Sequence, residues 1–202
     1  MKKIEITNKI LIILSLLVNT VYIILTLIGK FDSNILVCLS YYILVILPII
    51  FRKFKINFSD MLELVYLIFI ILACLMGSIM KFYSLIYFYD SLVHYISGIL
   101  TALLGLVLLI WFNKFKSKEY SFNILYMFFV SLAVAALWEI FEFSADNLLG
   151  GDAQKVIETG VTDTMKDIIC ALLGSLLVSV CYAYEYVNNK KLIITNFIKG
   201  LN

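Results

Sequence analysis

The chain is poor in arginine, histidine and proline, each of which occurs once among its 202 residues. A single arginine, Arg52, excludes an arginine-built phosphate clamp. A single histidine, His94, excludes the histidine-rich boxes of membrane desaturases. One proline and no Pro/Gly/Ser-rich stretch leave no linker, so a single domain over residues 1–202 is expected. Charge is also sparse: 15% of residues are charged and the net charge is +2. That is too little to attract a polyanion, and no nucleic-acid partner is expected. The four cysteines, Cys38, Cys74, Cys170 and Cys181, lie inside apolar runs without CxxC spacing. Neither a disulfide framework nor a zinc knuckle follows.

What is abundant is apolar. Hydrophobic residues make up 63% of the chain and the mean hydropathy is +1.01, whereas soluble domains run near about 45–50% apolar. A helix needs about 20 apolar residues to cross the hydrocarbon core. Six segments qualify: 9–29, 34–51, 61–80, 91–113, 121–145 and 164–187. The fold class expected is therefore all-α, a polytopic transmembrane helix bundle of about six spans, and the richness in Ile, Lys, Asn, Phe and Tyr, a bias of AT-rich bacterial genomes, sets the expectation of a bacterial plasma membrane. The first apolar run follows Lys2, Lys3 and Lys9 and has no small-x-small cleavage pattern after it, so it reads as an uncleaved span. The stretch 190–200 is short and mixed and reads as an interfacial segment.

The basic residues alternate in sign of side. Lys2, Lys3, Lys9, Arg52, Lys53, Lys55, Lys114, Lys116, Lys118, Lys190, Lys191 and Lys199 fall on one side of this six-span arrangement, and Lys30, Lys81, Lys155 and Lys166 on the other. Lysine and arginine favour cytoplasmic loops, so both termini are expected in the cytoplasm. Acidic residues do the reverse: Asp32, Asp90, Glu139, Glu142, Asp146, Asp152, Glu158, Asp163 and Asp167 gather at the outer side. Acids contribute little to topology, so their clustering calls for another cause.

Three segments carry it. The fourth span opens with YDSLVHYISG, the fifth closes with WEIFEFSAD and the sixth opens with TDTMKDIICALLG. The spacings Asp90/His94, Glu139/Glu142/Asp146 and Asp163/Asp167 each set their side chains on one helix face. Small residues continue those faces inward: Gly98, Thr101 or Ala102 and Gly105; Ser131 and Ala135; Ala171, Gly174 and Ser175. Small residues let transmembrane helices approach closely, so spans four, five and six are expected to pack along these stripes and bring the acids and His94 together. Mutually repelling carboxylates at low dielectric require protons or a bound cation. Asp90, His94, Glu139, Glu142, Asp163 and Asp167 are the candidate metal ligands, Asp146 is peripheral, and Glu139 and His94 are the candidate general bases. A carboxylate set suits a hard divalent ion, and one imidazole extends the range, so Mg, Mn, Ca, Fe and Zn all remain open. Structural roles compete at some positions: Asp90 fits a helix N-cap, and Thr164 with Asp167 fits a capping box. The loop 147–162 carries Gly150-Gly151, which breaks any helix there, and reads as either a lid or a plain connection.

The blocks DSLVHYISG, WEIFEF and DTMKDIICALLG resemble those of the YjdF-like bacterial inner-membrane proteins, whose patterns run approximately D-x-x-x-H-x-x-x-G, E-x-x-E-W and W-D-T-Q-x-D-M-x-x-A-x-x-G. The resemblance covers about residues 88–178 and retains the acidic positions and His94. It departs at Thr162 and Phe143, which stand where that family tends to have tryptophan. More distantly the layout is similar to VanZ-like proteins, but Glu142 and Ala171 replace the glutamine and asparagine of that pattern. The resemblance implies a membrane bundle with a site and names no reaction.

Three functions fit. The first is a divalent-metal-dependent enzyme acting on a lipid or lipid-linked envelope substrate. The second is a cation- or proton-coupled transporter, and the third a non-catalytic membrane protein that binds an extracellular cationic ligand. The bilayer is the one partner all three share.

Overall fold

The computed structural model describes residues 2–53 and 60–201, so Lys55 of the expected basic alternation lies outside the described residues. All regular structure among them is helical. In chain order it comprises α1 (Lys2–Leu27), α2 (Ile35–Lys53), α3 (Asp60–Ile70) continuing into a π-helix (Ile71–Ile79), and α4 (Phe82–Leu85). Then come α5 (Tyr89–Trp111), α6 (Tyr120–Leu149), α7 (Val156–Thr159), α8 (Thr162–Val187) and α9 (Ile193–Leu201). Among the described residues six helices are long and apolar enough to cross a membrane: Lys3–Leu27, Ile35–Lys53, Asp60–Ile79, Tyr89–Trp111, Tyr120–Leu148 and Thr162–Val187. They coincide with the six expected spans to within about three residues, except that the first begins six residues earlier than expected. Large apolar side chains cover the outside of these helices, Leu14, Leu17, Val21 and Ile24 on α1 among them, while Asn8, Asn19, Asn123, Ser131 and Ser175 are buried. Apolar outside and polar inside is the arrangement lipid selects, because buried polar groups pair with one another and lipid offers them nothing.

The chain divides into two compact units, residues 1–93 and 94–202, with the boundary inside the continuous helix α5. In the first unit Cys38, Tyr41, Val45, Leu67, Leu75 and Ile79 form the core. Its polar contacts cross between helices where each is needed. The Asn19 amide donates to the Cys38 carbonyl at 2.9 Å, and the Asn8 amide to the Asp60 carbonyl at 2.8 Å. At that same end Arg52 pairs with Asp60 at 3.0 Å and with the buried Glu63. At the opposite end Lys81 pairs with Asp32 at 2.9 Å.

Pro48 lies inside α2. It has no N–H, so the Leu44 carbonyl four residues earlier loses its helical donor. The Tyr66 hydroxyl on α3 donates to that carbonyl at 2.9 Å. A defect that would cost stability in lipid is repaired by a neighbouring helix. The expected span 61–80 is not uniformly α-helical: its second half winds as a π-helix, and the Leu72 carbonyl there accepts from the Tyr89 hydroxyl at 2.9 Å.

In the second unit α5, α6 and α8 pack along the small-residue stripes. A β-carbon added at Gly98 would collide with the Ala171 carbonyl, one at Gly174 with the Tyr95 carbonyl, and one at Gly105 would lie 2.9 Å from Met127 Cα. Only glycine admits such approaches, as expected of small-residue interfaces. Ser131 on α6 meets Thr101 on α5 at 2.9 Å and the Gly98 carbonyl at 3.3 Å. Below them Ala102, Leu106, Met127, Val178 and Tyr182 form the core.

The 190–200 segment is helix α9. It lays Ile194, Phe197 and Ile198 inward, and Ile194 and Ile198 join the core formed by α5, α6 and α8. Its unsatisfied first N–H groups find a partner in the buried Glu185 of α8, whose carboxylate accepts from Leu192, Ile194 and Thr195 at 3.3, 2.8 and 2.8 Å. This is capping supplied from another helix.

Candidate functional site

Helices α5 and α8 run parallel with α6 antiparallel to both, and this decides which residues meet. Ser131 sits level with Gly98 and Thr101. Glu139, eight residues on, lies about 12 Å further along α6 at 1.5 Å per residue. His94 lies one turn beyond Gly98 in the same direction, and Asp167 one turn beyond Ala171. The buried face of α8 runs Asp163, Asp167, Ala171, Gly174 and Ser175, the stripe expected from the spacing. His94, Glu139 and Asp167 retain 9%, 5% and 2% of their surface. Ionisable groups so deep in a membrane helix require compensation.

His94 on α5 faces Asp167 on α8, and Asp90 stands one turn before His94 on α5. His94 Nε2 lies 3.8 Å from Asp167 Oδ2. That is too long for a hydrogen bond. It is shorter than the roughly 4.2 Å that separates two donors on opposite sides of an ion bound at about 2.1 Å. Two carboxylates and an imidazole make a donor set suited to Mn, Fe or Zn, so these residues fit a divalent ion.

The other expected ligands stand around this group in different roles. Glu139 is held by the buried Gln154, whose side-chain amide donates to the Glu139 carbonyl at 3.2 Å and reaches its carboxylate at 3.4 Å. The same amide donates to Thr164 Oγ1 at 3.1 Å, tying α6 to the start of α8. Asp163 is buried and pairs with Lys155 at 3.2 Å. Glu142 accepts from the Trp138 indole at 2.8 Å on the half-exposed flank of α6. Asp146 accepts from the backbone N–H groups of Ala153 and Gln154 at 2.8 and 3.1 Å. It therefore stays peripheral and shapes the loop. Gly151 leaves room for that carboxylate, since a β-carbon there would lie 2.8 Å from Asp146 Oδ1.

Two structural roles expected from the sequence are replaced. Asp90 lies within the first turn of α5, not before it. Thr164 and Asp167 form no capping box, because α8 already begins at Thr162 and the Thr164 hydroxyl takes the Gln154 amide. Sequence reasoning missed Gln154 and Lys155. Both lie in the 147–162 loop, which folds back so that Gln154 is buried. A polar residue in a polar loop carries no period that would mark it as inward. One signal existed: Gln154 is the chain's only glutamine.

Residues 10–188 match the family described as "Predicted membrane protein (DUF2238)". The chain belongs to the DUF2238 family. The matched residues include α5, α6 and α8 in full, hence every site residue named above. An uncharacterized protein of Thermotoga maritima is 29% identical over 129 residues, which is 60% of this chain and 58% of that protein. The match thus spans less than two thirds of that relative's length. No solved structure matches.

Proposed function

We propose that this DUF2238 chain is a divalent-metal-dependent enzyme acting at the outer face of a bacterial plasma membrane on a lipid or lipid-linked envelope substrate. The observation that carries the reading is His94 set 3.8 Å from the buried Asp167, with Asp90 one turn before His94 on the same helix. Their position near the ends of membrane helices α5 and α8 is where a substrate headgroup would lie. The finer family reading is YjdF-like, through Asp90, His94, Glu139, Glu142, Asp163 and Asp167. The VanZ-like likeness rests on fewer of these positions and adds no chemistry. Both termini in the cytoplasm would place this end of α5, α6 and α8 outward.

A divalent ion held there would supply Lewis acidity toward a phosphoryl or acyl oxygen. The chain's own residues would do the rest. Glu139 is the candidate base, kept in place by Gln154. Lys155 neutralises Asp163, which leaves fewer acids repelling one another. The 147–162 loop covers Glu139 from the solvent side through Gln154.

The transporter reading has less support. The hydroxyls inward of the group are already engaged: Ser97 to His94, Ser175 to Leu172 and Ser179 to Ser175 within their own helices, and Thr101 with Ser131 across α5 and α6. Hydroxyls satisfied this way offer no continuing path for an ion.

The test is calorimetric titration of the metal-stripped, purified protein with Mn2+ and Zn2+, alongside His94→Ala and Asp167→Asn. The expected result is saturable binding that weakens at least about tenfold in both variants, with phosphate or acyl release from lipid-linked substrates lost in Glu139→Gln. No saturable uptake, or equal uptake by both variants, overturns the metal reading. Binding without turnover of any lipid substrate overturns the enzyme reading.

A further inference from the structure

The second unit carries another feature at the far end of α8, about 27 Å from Asp167 to Glu185 at 1.5 Å per residue. There a cavity of about 250 Å³ opens between the α5–α6 connection, the end of α8 and helix α9. Lys190, Lys191 and Lys199 line it, and Phe115, Tyr182 and Tyr186 supply its aromatic wall. We propose that this cavity binds the headgroup of an anionic phospholipid, with the three ammonium groups on the phosphate and the aromatic wall against the glycerol and first methylenes.

Four observations converge. The first is charge: three lysines line one cavity. Glu185, the acid beside them, is already engaged with three backbone N–H groups at and just before the start of α9. Its charge remains, so the three lysines and this one carboxylate leave the lining with a formal charge of +2. The second is orientation of a donor. Lys190 Nζ is placed by a 2.9 Å hydrogen bond to the Tyr184 hydroxyl and lies over that ring at 5.1 Å. An ammonium has three donors, so two remain for a phosphate.

The third is depth. Tyr120 stacks on Tyr186 with centroids 4.1 Å apart, and Trp111 and Phe112 stand exposed at the end of α5. Tryptophan and tyrosine gather at headgroup level, so this rim lies where phosphates are. The fourth is α9 itself: it buries Ile194, Phe197 and Ile198 against the bundle and leaves Leu192 and Ile193 exposed. Leu192 and Ile193, at the start of α9, are the apolar surface this rim offers to lipid. The cavity is smaller than the roughly 300–1,000 Å³ of drug-sized ligand sites, which suits a headgroup and not a whole lipid.

The test compares thermal unfolding of the detergent-purified protein with short-chain phosphatidylglycerol, short-chain phosphatidylcholine and glycerol phosphate. The variants are Lys190→Gln/Lys191→Gln/Lys199→Gln and a control, Lys114→Gln/Lys118→Gln, which removes charge from the nearby exposed connection. Phosphatidylglycerol should raise the midpoint well above phosphatidylcholine, and glycerol phosphate should not. Each basic residue near a headgroup contributes about fivefold in affinity, so the triple variant should weaken phosphatidylglycerol binding on the order of 100-fold. The control should retain it. Equal stabilisation by both lipids, an equal loss in both variants, or a full shift with glycerol phosphate alone each overturns the proposal. These lysines touch no residue of the acidic site, so the outcome is independent of whether a metal binds there.

Discussion

Gly98→Ala is the sharpest probe of how the helix interface sets the site. The added methyl would fall well inside contact with the Ala171 carbonyl. A relaxed C···O contact is about 3.3–3.6 Å, so α5 and α8 must part by more than about 1 Å. No flexible side-chain end is available to move instead; the obstacle is backbone. Overpacking of this kind costs about 1–3 kcal/mol. His94 and Asp167 each lie one turn from the collision and are 3.8 Å apart. Adding about 1 Å carries them past the roughly 4.2 Å that two donors can span around one ion. The assays are thermal unfolding and Mn2+ titration of the purified protein, with Gly105→Ala as the comparison. Gly105 lies three turns from His94, and its β-carbon would stand 2.9 Å from Met127 Cα, a milder crowding on a different helix. Gly98→Ala should lose both stability and at least about tenfold in metal affinity; Gly105→Ala should lose stability with affinity intact. If Gly98→Ala matched the wild type in both measurements, or if Gly105→Ala weakened the metal equally, the link between helix approach and site geometry would be wrong.

Three further outcomes are expected. Tyr66→Phe leaves the Leu44 carbonyl without its donor and should destabilise by about 1–3 kcal/mol; in a Pro48→Ala background, where residue 48 regains an N–H, the same change should cost less, read by thermal unfolding of the four variants. Glu185→Ala removes the acceptor for the N–H groups of Ile194 and Thr195 in α9 and of Leu192 just before it, so limited proteolysis between residues 190 and 201 should accelerate while α8 stays protected. Gln154→Ala releases the bridge from Glu139 to Thr164 and should speed cleavage within 150–160, with Asp146→Ala acting in the same direction through the loop backbone.

Much of this was readable from residue order. Hydropathy located six spans because lipid imposes length and composition on each one. The face Asp163–Asp167–Ala171–Gly174–Ser175 was legible because glycine and serine at i, i+3 and i+4 next to acids have few other uses in a membrane helix. The parts not legible are those where the decisive contact is remote in sequence. Lys155 on Asp163 and Gln154 on Glu139 depend on how one loop folds back, which no helical period encodes. Glu142 shares the Glu139–Asp146 spacing, yet its neighbour Trp138 on the same helix takes the carboxylate to the flank. The π-helical winding of Ile71–Ile79 left no mark either, since its composition is that of any apolar span.

The bond between Tyr66 and Leu44 has an evolutionary corollary. Residue 48 erases one rung of its own helix and residue 66 restores it from outside, so a single interaction is spelled by two positions eighteen residues apart. Proline without the phenol strands a carbonyl, and without proline the phenol has no stranded carbonyl to serve. In relatives that keep this helix pair, replacement at one of these positions should be accompanied by replacement at the other.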